Sequence, residues 1–256
     1  RLQIAVSPED DVEVRRLSIT NHGDRPRELE VTSYCEMVLG RAEDDLAHPA
    51  FGKLFIQTDH DAQNAGLLFS RRMRSAHEEP VWGFHVLGVD GRLGGAVEWE
   101  TDRATFLGRG RSWPDPVALE GRPLSGSTGA VLDPVAALRD RVRLVPGAFV
   151  RITFATGVAS DQDTARALVS KYRDGSAASR TFSMAFTHAR VGLQYLGLTD
   201  DDAILFDRLA SRVFGTDVSC ISPRDLSRNI FGQQNLWGFG ISGDRPIVLI
   251  SVTESA

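Results

Sequence analysis

The feature that most constrains the fold is a series of short segments, within the first 158 residues, in which apolar and polar side chains alternate. A period of two places the two sets of side chains on opposite faces of a half-buried strand. Gly, Pro, Asn and Asp clusters separate the segments, and no helical pattern intervenes. The predicted strands are Val12–Thr20, Glu28–Leu39, Lys53–Thr58, Ala65–Ser70, Val81–Val89, Val97–Glu100, Arg139–Val145 and Phe149–Thr156. Such a series predicts a mainly β protein, a large antiparallel β-sandwich. The turn at residues 21–26 predicts that the first two strands form a hairpin.

After Val158 the apolar period lengthens to that of an α-helix. Ser160 and Asp163 resemble a capping box that opens a first helix, and an apolar stripe over residues 182–196 predicts a second. The segment 199–202, Thr-Asp-Asp-Asp, predicts the cap of a third helix, and Ser222 followed by Pro223 predicts a fourth. The predicted domains are therefore a sandwich over residues 1–158 and a helical linker over residues 159–256.

Composition excludes several classes of protein. A formal net charge of -5 and a pI near 5.7 argue against a general nucleic-acid binder, which needs a basic face. No apolar run reaches the roughly 18–20 residues of a membrane helix, and no signal-peptide pattern opens the chain. Cys35 and Cys220 form no metal-binding pair, which predicts reduced thiols and a cytoplasmic location. Because the chain starts at Arg1 inside a strand pattern, it is expected to be an excised part of a longer protein.

No self-contained catalytic constellation is visible. The segment Gly240–Asp244 approaches a nucleophile elbow around Ser242 but has aspartate where the second glycine is required. His77 and His85 lack metal-ligand spacing and are expected to be exposed loop histidines. No metal, no cofactor and no catalytic residue is predicted.

A few residues remain candidates for ligand binding. Gly108-Arg-Gly-Arg111 can cradle a phosphate, or it is a tight loop with solvated arginines. Trp113 and Trp237 lie in loop-like settings and offer flat faces for sugar stacking, whereas the strand tryptophans Trp82 and Trp99 are expected in the core. The polar candidates in the segment that leads to Trp113 are Arg109 and Arg111.

Five segments together resemble one known family. They are residues 6–16 (Val-Ser-Pro-Glu-Asp-Asp-Val-Glu-Val-Arg-Arg), 46–55 (Leu-Ala-His-Pro-Ala-Phe-Gly-Lys-Leu-Phe), 100–111 (Glu-Thr-Asp-Arg-Ala-Thr-Phe-Leu-Gly-Arg-Gly-Arg), 205–211 (Leu-Phe-Asp-Arg-Leu-Ala-Ser) and 236–246 (Leu-Trp-Gly-Phe-Gly-Ile-Ser-Gly-Asp-Arg-Pro). In this order they resemble the cyclic β-1,2-glucan synthases and related inverting glycoside phosphorylases, formerly glycosyltransferase family thirty-six. Cellobiose and chitobiose phosphorylases share the architecture, and the motifs are more similar to the β-1,2-glucan branch.

The resemblance implies a modular enzyme. Its parts are a galactose-mutarotase-like β-supersandwich, a helical linker, an (α/α)6 barrel with the general-acid aspartate and the phosphate site, and a small β domain. This chain corresponds to the sandwich and linker, and the Gly-Asp-Trp-Asn-Asp acid motif of the barrel has no match in it. His48, Arg109 and Asp244 match family motifs and are interpreted mainly as structural, at the barrel interface, with Asp244 kept as a sugar-binding candidate.

The resemblance and the composition predict a non-catalytic region of a glycosyltransferase or phosphorylase acting on β-1,2-glucan. Expected partners are glucan oligosaccharide, the barrel of the same polypeptide and, in a homodimer, a second copy. The parent would be cytoplasmic or tethered to the inner membrane. The alternatives are a free-standing carbohydrate-binding module and a structural docking module.

Overall fold

The fold is that of a computed structural model, which describes residues 1–73, 75, 78–90, 95–215, 222–245 and 247. Two antiparallel sheets account for its strands. The bounds are β1 Leu2–Val6, β2 Val12–Thr20, β3 Arg27–Thr32, β4 Cys35–Glu36, β5 Ile56–Asp61, β6 Gly66–Arg71, β7 Trp82–Asp90, β8 Glu98–Asp102, β9 Pro134–Leu144 and β10 Phe149–Ala159. One sheet has the order β1-β2-β10-β7-β6-β5, and the other has β3-β9-β4 with β8 also paired to β9. The predicted β-sandwich is confirmed.

The main core lies between the sheets. Buried side chains of the six-stranded sheet meet those of β9, among them Leu67, Leu87 and Ile152 on one side and Ala136 and Leu138 on the other. Each buried methylene group stabilises the fold by about 0.8 kcal/mol. The alternation read from the sequence is therefore the alternation between this core and the outer faces.

The predicted hairpin of the first two strands is wrong. β2 pairs with β1 and β10, whereas β3 pairs with β9 in the other sheet. The second predicted strand is also divided into β3 and β4. Turn residues at positions 21–26 reverse the chain without deciding whether the next strand stays in the same sheet, because sandwich connections commonly cross between sheets.

Among the helices of the described chain, the four that follow the last strand agree with the predicted pattern, whereas three short ones lie among the strands, where no helix was predicted. Their bounds are α1 Ala42–Ala47, α2 Pro49–Lys53, α3 Arg103–Leu107, α4 Gln162–Arg173, α5 Gly175–Tyr195, α6 Asp200–Phe214 and α7 Pro223–Arg228. The cap of α6 is confirmed as a reciprocal box of Thr199 and Asp202, and α7 begins at Pro223. The cap of α4 is Asp161 rather than Ser160, since the Asp161 carboxylate accepts a hydrogen bond from Thr164 N at 2.8 Å.

Helix α4 covers the outer face of the six-stranded sheet. Val169 and Tyr172 are buried there against Leu68 and Phe84. Glycine permits the close approach: a Cβ at Gly88 would lie 2.8 Å from the carbonyl oxygen of Arg173. The outer face thus forms a second, smaller core.

The chain divides into two compact units, Arg1–Ala189 and Arg190–Ala256. The last strand ends at Ala159 and α4 begins at Gln162. The division into domains of residues 1–158 and 159–256 stays a prediction. Within the described part of the chain, no helix combines the length and apolarity needed to cross a bilayer.

Candidate functional site

The first group of predicted binding residues lies in the long loop between α3 and β9. Helix α3 ends at Leu107 and is capped by Gly108, whose φ of 85° is readily available only to glycine; Gly110 has φ 74°. Arg109 is exposed, and the Trp113 side chain is 77% exposed. The guanidinium of Arg111 instead forms an ion pair with Glu120 at 2.5 Å. Both arginines are exposed, as expected for solvated side chains, and Arg111 is in addition ion-paired.

A buried arginine holds the far side of this loop. Arg139 on β9 is fully buried and donates hydrogen bonds to the carbonyl oxygens of Arg122, at 2.8 Å, and Ala118. Its Nη1 atom lies 3.5 Å from a carboxylate oxygen of Glu98 and 3.7 Å from one of Glu30. A buried charge is tolerated only when it is paired and hydrogen-bonded, and Arg139 meets both conditions. It fixes the backbone of the loop, a role that the sequence analysis did not identify.

The sequence contained a usable signal for this arrangement. Arginines alternate along β9 at positions 139, 141 and 143, and glutamates alternate along β3 at positions 28 and 30. The register places Glu30 opposite Arg141 and Glu98 of β8 opposite Arg139. Opposite charges on directly paired strands stabilise that pairing, so the two patterns favour neighbouring strands.

Glu100, in the family-like segment 100–111, is also a structural anchor. It is 1% exposed, and its carboxylate accepts hydrogen bonds from the hydroxyls of Ser125, at 2.5 Å, and Ser127. The same carboxylate accepts from the backbone N–H groups of Thr101 and Asp102, at 2.9 and 3.0 Å. With its acceptor positions occupied in this way, Glu100 fastens the loop to β8.

His85 does not lie in an exposed loop, and that expectation is wrong. It belongs to β7, is 2% exposed, and its ring nitrogens lie 2.7 Å from Ser33 Oγ and 2.8 Å from Thr156 Oγ1. Burial, helped by the charge of Arg15, lowers its pKa from 6.5 to about 4. His85 is therefore a neutral core residue. His77 and Cys220 lie outside the described residues, and burial raises the pKa of the Cys35 thiol.

The second group of predicted residues lies in the unit of residues 190–256, in the 3-10 helix Gln233–Phe239 and the turn that follows it. Gly240, with φ 71°, ends that helix, and Trp237 Nε1 donates to the carbonyl oxygen of Ser242 at 3.2 Å. Gln233 Nε2 donates to the same carbonyl at 2.9 Å and to Asp244 Oδ1 at 2.8 Å. Asp244 closes the turn, and the Trp237 ring stays 64% exposed.

The five predicted residues thus fall into two local groups. Arg109, Arg111 and Trp113 share one loop of the first unit, whereas Trp237 and Asp244 lie in a short helix of the second unit and the turn that follows it. In the first group Arg111 is ion-paired and Trp113 is exposed. In the second group Asp244 accepts a hydrogen bond and Trp237 is exposed. The exposed rings offer apolar contact area, whereas Arg111 and Asp244 stabilise their loops.

Comparisons with known proteins agree with the architecture. Residues 1–175 match the family described as glycosyl hydrolase 94, supersandwich domain. Over 255 residues the chain is 30% identical to the cyclic beta-(1,2)-glucan synthase NdvB of Rhizobium meliloti (strain 1021), covering 99% of the chain and 9% of that protein. Over 169 residues it is 26% identical to the solabiose phosphorylase of Paenibacillus borealis, covering 66% of the chain and 21% of that protein. The chain therefore spans less than a quarter of the length of either relative.

Proposed function

The chain belongs to the glycosyl hydrolase 94 supersandwich family, and we propose that it is a non-catalytic region of an enzyme acting on β-1,2-glucan. The parent enzyme would transfer glucosyl units or phosphorolyse the glucan with inversion. The observation that carries this proposal is the 30% identity, along 99% of the chain, to a protein named as a cyclic β-(1,2)-glucan synthase. In this proposal the general acid belongs to the barrel of the same polypeptide.

The polar core of the sandwich supports a non-catalytic role. Glycosidic bond cleavage with inversion needs an acid that protonates the leaving oxygen, placed in a cleft that admits the sugar. The carboxylate of Glu100 accepts hydrogen bonds from five donors, and His85 is held neutral between two hydroxyl groups. Both groups hold strands and loops together rather than face a cleft.

The first test is an activity assay on the purified chain. It should neither phosphorolyse sophorose in the presence of phosphate nor form sophorose from glucose 1-phosphate and glucose. A glycoside phosphorylase assayed on its own substrate is the positive control. Turnover by the chain would overturn the non-catalytic assignment.

The second test asks whether the chain belongs in a glucan synthase. We would replace the matching region of the Rhizobium meliloti synthase by this chain and measure cyclic glucan formation. The chimera should form product, and deletion of the region should abolish product formation. A folded chimera, verified by its thermal transition, that makes no glucan would count against the assignment.

The exposure of Trp113 favours a second candidate function, a carbohydrate-binding module. Trp113 is 77% exposed, in the same loop as the exposed Arg109, and its indole can stack on a pyranose ring. Calorimetric titration with linear β-1,2-gluco-oligosaccharides should then give saturable heat that the Trp113→Ala variant loses. Binding that this variant retains would assign the ring no role in recognition.

Three further aspects of the predicted function are also proposals. They are a cytoplasmic location, association with the barrel of the same polypeptide and formation of a homodimer. Light scattering on the purified chain tests the dimer, for which a mass of 56 kDa, twice the 28.0 kDa of the chain, is expected. A mass of 28.0 kDa at all concentrations would exclude dimerisation through this region.

A further inference from the structure

A row of three side chains crosses the outer face of the six-stranded sheet near its β5 edge. The register places Gln57 of β5 opposite Ser70 of β6, and Ser70 opposite Trp82 of β7. Directly opposed residues in antiparallel strands project from the same face, with Cβ atoms about 5 Å apart. The row therefore presents an amide, a hydroxyl and an indole side by side.

This row lies at the border of the area that α4 covers. In the adjacent row, Leu68 and Phe84 are fully buried in the cluster that includes Val169 of α4. In the row itself, Gln57 is exposed and Trp82 is half-buried, with part of its ring against the same cluster. The sheet face thus changes here from a helix-covered core to an accessible surface.

A cavity of about 330 Å³ opens over the row. Leu68 forms part of its lining, Asp59 lies beside Gln57, and Gly129 bounds it where the chain pairs with Thr58 at the edge of β5. This volume lies at the lower end of the range of small-molecule sites, about 300–1,000 Å³. The cavity can therefore hold a small ligand or one part of a longer one.

The polar groups of the row are uncommitted within the described structure. In the described part of the chain, the structure shows no hydrogen bond from the Gln57 amide, the Ser70 hydroxyl or the Trp82 indole N–H to another residue. Asp59 forms an ion pair with Arg166 at 3.4 Å, and no described lysine or arginine lines the cavity. The lining therefore offers donors and acceptors for a neutral polar ligand and disfavours an anion such as phosphate.

We propose that this groove is a binding subsite for a neutral saccharide, one or two glucosyl units of a β-1,2-glucan. The identity of the sugar rests on the proposed function; the class of ligand rests on the groove. The Trp82 ring would pack against the C–H face of a pyranose, and Gln57, Ser70 and Asp59 would hydrogen-bond to its hydroxyl groups. Trp82 was expected in the core, and it does pack in part against the cluster under α4. Only the strand register shows which polar residues lie beside it.

The test is a calorimetric titration of the purified chain with linear β-1,2-gluco-oligosaccharides, repeated on Gln57→Ala and Trp82→Ala. Loss of one neutral hydrogen bond predicts an affinity about three- to tenfold weaker for Gln57→Ala. Loss of the stacking ring predicts a loss of at least about tenfold for Trp82→Ala. Gln63→Ala, at an exposed position in the β5–β6 turn outside the groove, is the matched control and should bind like the wild type.

The outcomes separate this proposal from the proposed function. Because Trp82 is half-buried, its substitution can affect folding, so the exposed Gln57→Ala variant decides in that case. An unchanged affinity in Gln57→Ala, or a loss of affinity only in Trp113→Ala, would overturn the proposal that the groove binds the saccharide. Absence of any saturable heat would also overturn it. The assays for catalysis and for the synthase chimera do not depend on these titrations. They therefore test the proposed function independently of the groove.

Discussion

Acidification should destabilise the protein through His85 of β7, whose buried imidazole lies between the hydroxyl groups of Ser33 and Thr156. Its pKa is about 4 in the folded chain and 6.5 ordinarily, so the unfolded state binds more protons between these values. The stability associated with the neutral ring is full above pH 6.5 and is lost as the pH falls toward 4. The lowering of the His85 pKa from 6.5 to about 4 corresponds to about 3 kcal/mol in the free energy of unfolding, of which about 2 kcal/mol is lost between about pH 7 and pH 5.

Urea unfolding followed by circular dichroism at about pH 5, 6 and 7 measures this effect. The His85→Gln variant cannot titrate, so its free energy of unfolding should fall less over this interval, by about 2 kcal/mol. His22→Gln, at an exposed turn position, is the matched control and should keep the wild-type slope. Equal slopes for His85→Gln and the wild type would refute the reasoning, because the histidine would then not be held neutral by the fold.

Two further predictions concern packing and the buried carboxylate. Gly88→Ala should destabilise the fold by about 1–3 kcal/mol, because the new Cβ would lie 2.8 Å from a carbonyl oxygen of α4. Gly52→Ala is the control and should not destabilise it, since its new Cβ would meet no neighbouring atom within 4 Å. Equal melting temperatures for the two variants would contradict this prediction. Glu100→Ala should lower the free energy of unfolding, measured by chemical denaturation, by more than about 2 kcal/mol, since it leaves five donors without this acceptor. Glu28→Ala, which removes only an exposed ion pair at 4.0 Å, should cost less than about 1 kcal/mol, and a similar loss in both variants would contradict the anchoring role of Glu100.

The loop that carries Trp113 shows which features can be predicted from local sequence and which cannot. The glycines at positions 108 and 110 indicated a tight turn, and both have positive φ. The sequence did not show that Arg111 would be paired with Glu120, or that Arg139 would hold the loop from a distant strand. Such contacts join residues far apart in sequence, and a period of two identifies a buried face without identifying its partner.

The sequence alone determined the local and repetitive features of this protein. Alternation located most of the strands, and the change of period placed α4 to α7 after them. The box of Thr199 and Asp202 set the start of α6, because capping depends on neighbouring residues only. The family resemblance likewise followed from ordered local segments.

Tertiary structure decided what depends on strand partners. It placed β2 beside β10 rather than β3, buried His85, and aligned Gln57, Ser70 and Trp82 across three strands. The physical reason is that the pairing of strands is a choice among many alternating segments of similar pattern. That choice is made by the packing of whole faces and by buried charge pairs, which no single segment of the sequence contains.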